Sequence, residues 1–192
     1  ADGARVEPVA LPEPRWLALG DSLTQGFCVQ QPTGNWVHRL QRRWELPGWN
    51  LGVGGLRVEP ALVRDALAHR RWDLITIGLG SNHAWSDADR DRLADRAAEL
   101  CALAAAHAER VVWLTPPWKP LEDGRGPPEF MGVPLDARAA ERLVQIRADL
   151  ERVTAAHGVE LCPDVAPRNH RLYPDGLHPA GWGMARIADG ID

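Results

Sequence analysis

Ser22 lies in the segment Gly20–Gly26, which reads GDSLTQG and places a hydroxyl group among small residues. An unactivated serine is a poor nucleophile, so attack on a carbonyl carbon requires a base that takes its proton. His178 is a candidate for this base, and Asp175, three residues earlier in the segment Asp175–Pro179, could orient its imidazole. Together these residue types predict nucleophilic attack on an acyl carbonyl. Alone, the GDS tripeptide is more typical of a turn in which the serine caps a helix.

Such an attack places negative charge on the carbonyl oxygen, which backbone or side-chain N–H groups can stabilise. The candidate donors are the backbone N–H groups of Ser22 and Gly55 and the side-chain amide of Asn82. Gly55 ends the segment GVGG, and Asn82 belongs to the segment GLGSNH. Simpler interpretations stay open, because the glycines could form a tight turn and Asn82 could cap a following helix.

A sheet is needed to bring these distant segments together, and the sequence contains five short apolar runs of strand length. Continuous apolar runs that alternate with helical stretches are typical of parallel strands buried on both faces, which predicts an α/β fold. The polar segments follow the ends of these runs, at the edge where ligands bind in open α/β sheets. The predicted strands are Trp16–Leu19, Trp49–Val53, Leu74–Ile77, Val111–Leu114 and Val159–Cys162.

Apolar residues at helical spacing predict two of the helices. One stripe consists of Leu135, Ala139, Leu143, Ile146, Leu150 and Val153. A capping-box pattern of Ser86 and Asp89 opens a second helix, whose buried stripe includes Cys101. The stretch between Pro116 and Pro134 has no period and is long for a loop, so we expect it to border a substrate pocket.

The first fifteen residues contain three prolines and no periodic pattern. This composition predicts a linker or an extended arm at residues 1–15, followed by a single domain at residues 16–192. A chain of 192 residues is long enough to bury a core without a metal or disulfide staple.

The charge balance argues against nucleic acid as a partner. The chain has 22 basic and 26 acidic residues, a formal charge of −4, and no basic block. No apolar run approaches the roughly 20 residues of a membrane span. Lys119 is the only lysine, which we attribute to genomic base composition rather than to function. The oligomeric state is not readable from the sequence.

Three cysteines, Cys28, Cys101 and Cys162, form no CxxC pair and indicate neither a zinc site nor a disulfide framework. Asp175 and His178 are too few for a metal site, so we expect neither a metal nor a cofactor. Free thiols favour a reducing, cytoplasmic location. Secretion stays open, because the sequence does not begin with methionine.

The ordered segments Gly-Asp-Ser-Leu, Gly-Gly, Gly-Ser-Asn and Asp-Gly-Leu-His-Pro resemble those of the SGNH/GDSL hydrolase family, from Trp16 to about Ile187. The resemblance implies a three-layer, flavodoxin-like fold with a five-stranded parallel sheet. It also implies a catalytic triad of Ser22, His178 and Asp175, and an oxyanion hole formed by Ser22, Gly55 and Asn82.

Within that family, the stretch from Asn50 to Leu56 and the DGLHP segment look most like the branch that contains carbohydrate esterases and some acyltransferases. Two positions depart from the family pattern. His83 stands where an aspartate is usual, and Gly54 stands where a serine is usual. These changes affect the residues that brace the Asn82 loop and the flexibility of the Gly55 loop.

Four residues near the strand ends are candidates for lining the substrate pocket: His83, Trp85, Trp118 and Trp182. The resemblance implies a serine esterase that cleaves short-chain acyl or O-acetyl esters, including those of carbohydrates. An acyltransferase using the same acyl-enzyme is an alternative. A flavodoxin-like module that holds a flavin phosphate at Ser22 and Thr24, or a glycan-binding relative without catalysis, is an alternative of another class.

Overall fold

The computed structural model describes residues 9–192 and contains a five-stranded parallel sheet in the order β2-β1-β3-β4-β7. The predicted five-stranded α/β fold is therefore confirmed. The chain crosses from β1 to β2 on one side of the sheet and then builds the other side through β3, β4 and β7. These strands are β1 (Trp16–Gly20), β2 (Gly48–Gly52), β3 (Trp72–Gly78), β4 (Ala108–Leu114) and β7 (Glu160–Cys162).

Helices cover both faces of the sheet and bury an apolar cluster on each. Leu17 and Leu19 of β1 contribute to the cluster on one face, whereas Trp16 and Ala18 contribute to the cluster on the other face. Successive strand residues point to opposite faces, so a strand covered on both sides is apolar throughout. The helices are α1 (Ser22–Gln25), α2 (Trp36–Trp44), α3 (Pro60–Ala68), α4 (Asp87–Asp91), α5 (Leu93–His107), α6 (Ala139–Ala156) and α7 (Gly181–Ile191).

Two predicted helix boundaries differ from the structure. Ser86 does cap a helix by accepting a hydrogen bond from the Asp89 N–H, but that helix, α4, ends at Asp91 and α5 follows as a separate helix. The other helix, α6, begins four residues after Leu135, because the Asp136 carbonyl and side chain accept the N–H groups that open it. Leu135 therefore lies outside the helix and lines a cavity.

The segment between Pro116 and Pro134 contains structure that the sequence pattern does not reveal. A 3₁₀ helix spans Pro120–Asp123, and an antiparallel hairpin joins β5 (Glu129–Phe130) to β6 (Val133–Pro134). Met131 and Gly132 form the turn, both with positive φ, as a type I′ hairpin turn requires. Strands of two residues are too short to show an alternating pattern, so only the predicted position beside a pocket could be read from the sequence.

Residues 9–15 form neither a helix nor a strand, and residues 1–8 lie outside the described residues. The linker at 1–15 and the domain boundary at residue 16 stay predictions. Within residues 9–192, every helix is too short or too polar to cross a membrane.

α1 packs directly on three glycines at the carboxyl ends of neighbouring strands. They are Gly20 of β1, Gly52 of β2 and Gly78 of β3. A Cβ atom at Gly20 or Gly78 would collide with the Thr24 side chain, and one at Gly52 would collide with the backbone of α1 at Gln25. Because these positions lack side chains, the first residue of α1 can lie directly on the edge of the sheet.

We expect Gly52→Ala to lower the free energy of unfolding by about 2 kcal/mol or more, because the new methyl group overlaps helix backbone that cannot rotate away. Urea denaturation measures this change. The matched control is Gly181→Ala in α7, where an added Cβ meets nothing within 4 Å, and its stability should stay within about 1 kcal/mol of the original. Equal stability of the two variants would show that the packing of α1 does not require a glycine at position 52.

Candidate active site

Ser22, His178 and Asp175 form a continuous hydrogen-bonded chain at the carboxyl edge of the sheet. Ser22 Oγ lies 2.8 Å from His178 Nε2, and His178 Nδ1 lies 2.6 Å from Asp175 Oδ2. Ser22 begins α1 directly after β1, while the other two residues lie in the loop before α7. In this arrangement Nδ1 donates its proton to the carboxylate, which leaves Nε2 free to accept the serine proton.

The Asp175 carboxylate is held by hydrogen bonds on both oxygens. Oδ1 accepts the backbone N–H groups of Leu177 at 2.9 Å and His178 at 2.7 Å, and Oδ2 accepts the His178 ring N–H. Burial alone would raise the pKa of Asp175, but these donors together lower it well below its ordinary value. The carboxylate therefore stays ionised and fixes both the tautomer and the direction of the imidazole.

Cys28 is a further contact of this carboxylate. Its thiol donates to Asp175 Oδ2 at 3.4 Å, and burial followed by the charge of Asp175 raises the pKa of Cys28 to about 11. Cys28, Asp175 and His178 offer three possible metal-ligand atoms within 4.8 Å of one another. However, ligand atoms on a tetrahedral zinc ion lie about 3.3 Å apart, whereas Nδ1 and Oδ2 are at hydrogen-bond distance. The geometry fits a proton between these atoms better than a metal ion beside them.

Two phenylalanine rings flank the His178 imidazole. The ring centroid of Phe27 lies 4.7 Å from that of the imidazole, and Phe130 of the hairpin lies 5.4 Å from it. The two phenyl rings also meet edge to face, at 6.1 Å. The imidazole therefore packs against two aromatic rings, neither of which was predicted from the sequence.

N–H groups of three residues lie at the edge of the cavity beside Ser22. The backbone N–H of Ser22, the first residue of α1, has no intrahelical acceptor, and that of Gly55 donates no hydrogen bond within the described residues. The Asn82 amide nitrogen lies 3.0 Å from the Leu56 carbonyl and 3.4 Å from Asp21 Oδ2. Its amide oxygen accepts the Trp85 ring N–H at 3.1 Å, which fixes which end of the amide is the donor.

The cavity beside Ser22 has a volume of about 600 Å³ and combines polar groups with an apolar wall. Phe130, Met131, Val133 and Pro134 of the hairpin form much of that wall, and Leu135 continues it. The side chains of Met131 and Val133 are 82% and 64% exposed, so this wall borders solvent. The other lining residues are Asp21, Ser22, Phe27, Gly54, Gly55, Arg57, Ser81, Asn82, Trp85, Lys119, Asp136, Leu177 and His178.

Of the four predicted pocket residues, only Trp85 lines this cavity. Trp118 is buried and packs against Tyr173 with ring centroids 5.5 Å apart, because the backbone of its loop turns the indole toward the interior. Trp182 is 81% exposed on the outer side of α7. Predicting these two residues as pocket walls was wrong.

His83 is also not a wall of the cavity, which corrects its prediction as a pocket residue. The buried imidazole accepts the Val58 N–H at Nε2, 2.9 Å away, and donates from Nδ1 to the Asp89 carbonyl at 2.6 Å. Burial lowers the pKa of His83, which favours the neutral ring that both contacts require. The imidazole thus braces the loop of Asn82 at the position where the family usually has a carboxylate.

Asp21 and Lys119 are buried charged residues at this cavity whose roles the sequence analysis missed. Asp21 caps α1 by accepting the Leu23 N–H at 3.0 Å. Burial raises the pKa of Asp21, although the charge of Lys119 acts to lower it. Lys119 is 3% exposed and donates to the Leu177 carbonyl at 3.2 Å. The only available signal was that the single lysine follows a strand by a few residues.

Comparisons with known proteins place the fold. The native aryl esterase of M. smegmatis superimposes with a TM-score of 0.75 at 16% identity, covering 93% of this chain and 96% of that chain. A psychrotrophic esterase from Pseudoalteromonas superimposes with a TM-score of 0.70 at 19% identity, covering 92% of this chain and 93% of that chain. A carbohydrate acetylesterase from Sinorhizobium meliloti superimposes with a TM-score of 0.69 at 18% identity, covering 93% of this chain and 98% of that chain. At these identities the likeness establishes a shared fold.

A search of curated proteins finds no significant match. A sequence model of GDSL-like lipases and acylhydrolases, in contrast, matches residues 18–186, from β1 into α7. This match confirms the expectation of a hydrolase that acts on ester bonds. Because it spans most of the sequence, the chain belongs to the GDSL-like lipase/acylhydrolase family.

Proposed function

We propose that this protein is a serine esterase in which Ser22 is the nucleophile, His178 the general base and Asp175 the residue that orients the base. The observation that carries the proposal is the chain of hydrogen bonds from Ser22 through His178 to Asp175, at 2.8 and 2.6 Å. Nucleophile, base and orienting carboxylate in hydrogen-bond reach of one another are the requirement for nucleophilic acyl transfer.

The reaction proceeds in two halves. In the first, His178 Nε2 takes the Ser22 proton while Oγ attacks the ester carbonyl, and the protonated imidazole then gives that proton to the leaving alcohol. In the second, His178 takes a proton from water, the resulting hydroxide attacks the acyl-enzyme, and the Ser22 oxygen leaves with the proton. Asp175 stays ionised throughout and stabilises the imidazolium.

The oxyanion of each tetrahedral intermediate is received by the N–H groups of Ser22, Gly55 and Asn82. The first two are backbone donors whose hydrogen bonds are available to a ligand. Asn82 contributes one N–H when substrate draws it from the Leu56 carbonyl, while Trp85 holds its amide oxygen. The two backbone donors are preorganised, and donors of this kind stabilise the transition state more than the substrate.

The cavity supports short acyl or aryl esters as substrates, including O-acetyl groups on carbohydrates. Its apolar wall accommodates an acyl or aryl group, while Arg57 and Asp136 offer polar contacts to an alcohol portion. Similarity in fold to an aryl esterase and to a carbohydrate acetylesterase is consistent with this range. The exposed tip of the hairpin admits water, which favours hydrolysis over transfer to an alcohol.

The flavodoxin-like alternative is not supported by the position of Thr24. Its side chain is buried against Gly20 and Gly78 rather than exposed at the strand end, so it offers no hydroxyl to a phosphate group. A glycan-binding module without catalysis would not require His178 and Asp175 in hydrogen-bond register with Ser22.

We expect Ser22→Ala to lower kcat for an aryl acetate by about 10⁴-fold or more, because no acyl-enzyme can form. Release of the aryl alcohol measures the rate. The control is Thr33→Ala, which removes an exposed hydroxyl group from the 3₁₀ helix Pro32–Gly34 and should retain kcat. Turnover by the Ser22 variant at the original rate would rule out the proposed nucleophile.

Asn82→Ala should lower kcat by about 10²- to 10³-fold, the effect of removing one oxyanion donor. Asn169→Ala, which deletes the same side chain from the cap of the 3₁₀ helix His170–Leu172, serves as the control and should leave kcat unchanged. Steady-state kinetics on an aryl acetate separate the two. If both variants kept full kcat, Asn82 would not be an oxyanion donor.

In the presence of an added alcohol or sugar acceptor, we expect most of the acyl group of an aryl acetate to appear as acetate. Water reaches the cavity past the exposed residues Met131 and Val133, so it should capture the acyl-enzyme before a bulkier acceptor does. Chromatographic quantification of acetate and acetylated acceptor gives the partition. Predominant acylation of the acceptor would identify an acyltransferase instead.

A further inference from the structure

Lys119 is a buried side chain with an ionisable amine beside the cavity of Ser22. It is the only lysine of the chain and is 3% exposed, yet it borders the cavity that contains Ser22. Removing an ammonium group from water is unfavourable unless compensating partners surround it. Its position therefore requires an explanation beyond packing.

The backbone immediately before Lys119 is anchored by side chains from two other segments. The Trp118 N–H donates to Asp164 Oδ2 at 3.0 Å, and the Trp118 carbonyl accepts the Tyr173 hydroxyl at 3.3 Å. Asp164 lies just after β7, and Tyr173 lies in the loop that leads to Asp175. The Lys119 loop and the Asp175 loop are thus joined directly.

A second set of contacts fixes Lys119 itself. Its backbone N–H donates to Glu122 Oε1 at 2.9 Å, at the start of the 3₁₀ helix. Arg147 of α6 holds that glutamate with two hydrogen bonds, of 2.6 and 2.7 Å. Such a bidentate ion pair has a defined geometry, so the loop presents the ammonium group in one direction.

The Lys119 ammonium acts on the peptide group that carries His178. Nζ donates to the Leu177 carbonyl at 3.2 Å, while the N–H of the same peptide group, that of His178, donates to Asp175 Oδ1 at 2.7 Å. The peptide between residues 177 and 178 is therefore held at both ends. Its orientation sets the direction in which the imidazole leaves the backbone.

Charge is the second contribution of this side chain. The charged groups around Lys119 are the carboxylates Asp21, Asp175 and Glu122 and the guanidinium of Arg147. Two of these carboxylates, Asp21 and Asp175, also act on His178. Burial lowers the pKa of Lys119, and the three carboxylates raise it, so the ammonium form depends on these partners.

We propose that Lys119 is a positioning residue of the esterase, which orients the peptide group of His178 through the Leu177 carbonyl and places a positive charge beside the carboxylates of Asp21 and Asp175. This inference rests on the proposed function. A merely structural lysine would support folding but would leave the pH dependence of the reaction unchanged.

The test is Lys119→Met, which keeps a long unbranched side chain but removes its charge and its hydrogen-bond donor. We expect kcat to fall by about tenfold or more, and the acid limb of the pH profile of kcat/KM to move to higher pH by about one unit. Lys119→Arg keeps the positive charge and should return the acid limb toward its original position, although the larger guanidinium group is expected to lower kcat. The control is Arg186→Met on the exposed side of α7, which should change neither quantity.

An unshifted acid limb in Lys119→Met, with the original protein active, would overturn the role of Lys119 and leave the esterase proposal intact. Two different results would contradict the esterase proposal: the original protein hydrolyses no ester, or the Ser22→Ala variant is fully active. The two failures are therefore distinguishable.

A second measurement does not depend on the folding of any variant. Protein labelled with ¹³C and ¹⁵N in lysine gives the signal of one side chain, because the chain has one lysine. We expect an ammonium signal at pH 7 that exchanges slowly with water, because the carboxylates of Asp21, Asp175 and Glu122 oppose the lowering of the Lys119 pKa by burial. A side chain that exchanges freely with water, or that is neutral at pH 7, would overturn the proposal.

Discussion

The 2.8 Å hydrogen bond between Ser22 and His178 joins residues that are 156 positions apart in the chain. Parallel strands allow this contact because their carboxyl ends meet at one edge of the sheet. At that edge, the glycines at the ends of β1, β2 and β3 let α1 lie on the strands themselves. The hydroxyl group is thereby placed on a rigid element, and the loop before α7 needs only to bring the imidazole to it.

Buried charge accompanies this contact and constrains it. Asp21 caps the helix that carries Ser22, Asp175 holds the base, and Lys119 lies between the loops that contain them. A buried charge is unfavourable without a partner, and here the ammonium group of Lys119 lies near the carboxylates of Asp21 and Asp175. Catalytic sites commonly retain such arrangements because the protonation state of the base depends on them.

Sequence reasoning predicted the parts of the structure that follow from periodicity and from strand ends. Apolar runs mark the central strands β1, β3 and β4, whereas the edge strand β2 contains Asn50 and is only partly buried. The segments of Ser22, Gly55, Asn82 and His178 follow strand ends or converge on them. Family resemblance added the expected fold and the roles of these residues. The roles themselves stay predictions until activity is measured.

Other features depend on the three-dimensional path of loops and could not be predicted in this way. The hairpin that carries Phe130 has strands of two residues, and the direction of Trp118 is set by partners far away in the sequence. His83 braces a loop through Val58, a contact with no local signature. Lys119 drew attention only because it is buried, and the burial of a residue cannot be read from the composition of the chain.

The most direct test of the central claim is to trap the acyl-enzyme. Protein mixed rapidly with an aryl acetate, quenched in acid and digested should yield one acetylated peptide, with the acetyl group on Ser22, and the rate of its formation should match the initial burst of aryl alcohol. Acetyl groups found only on another residue, or turnover without any acyl-enzyme under conditions where deacylation is slow, would contradict the account.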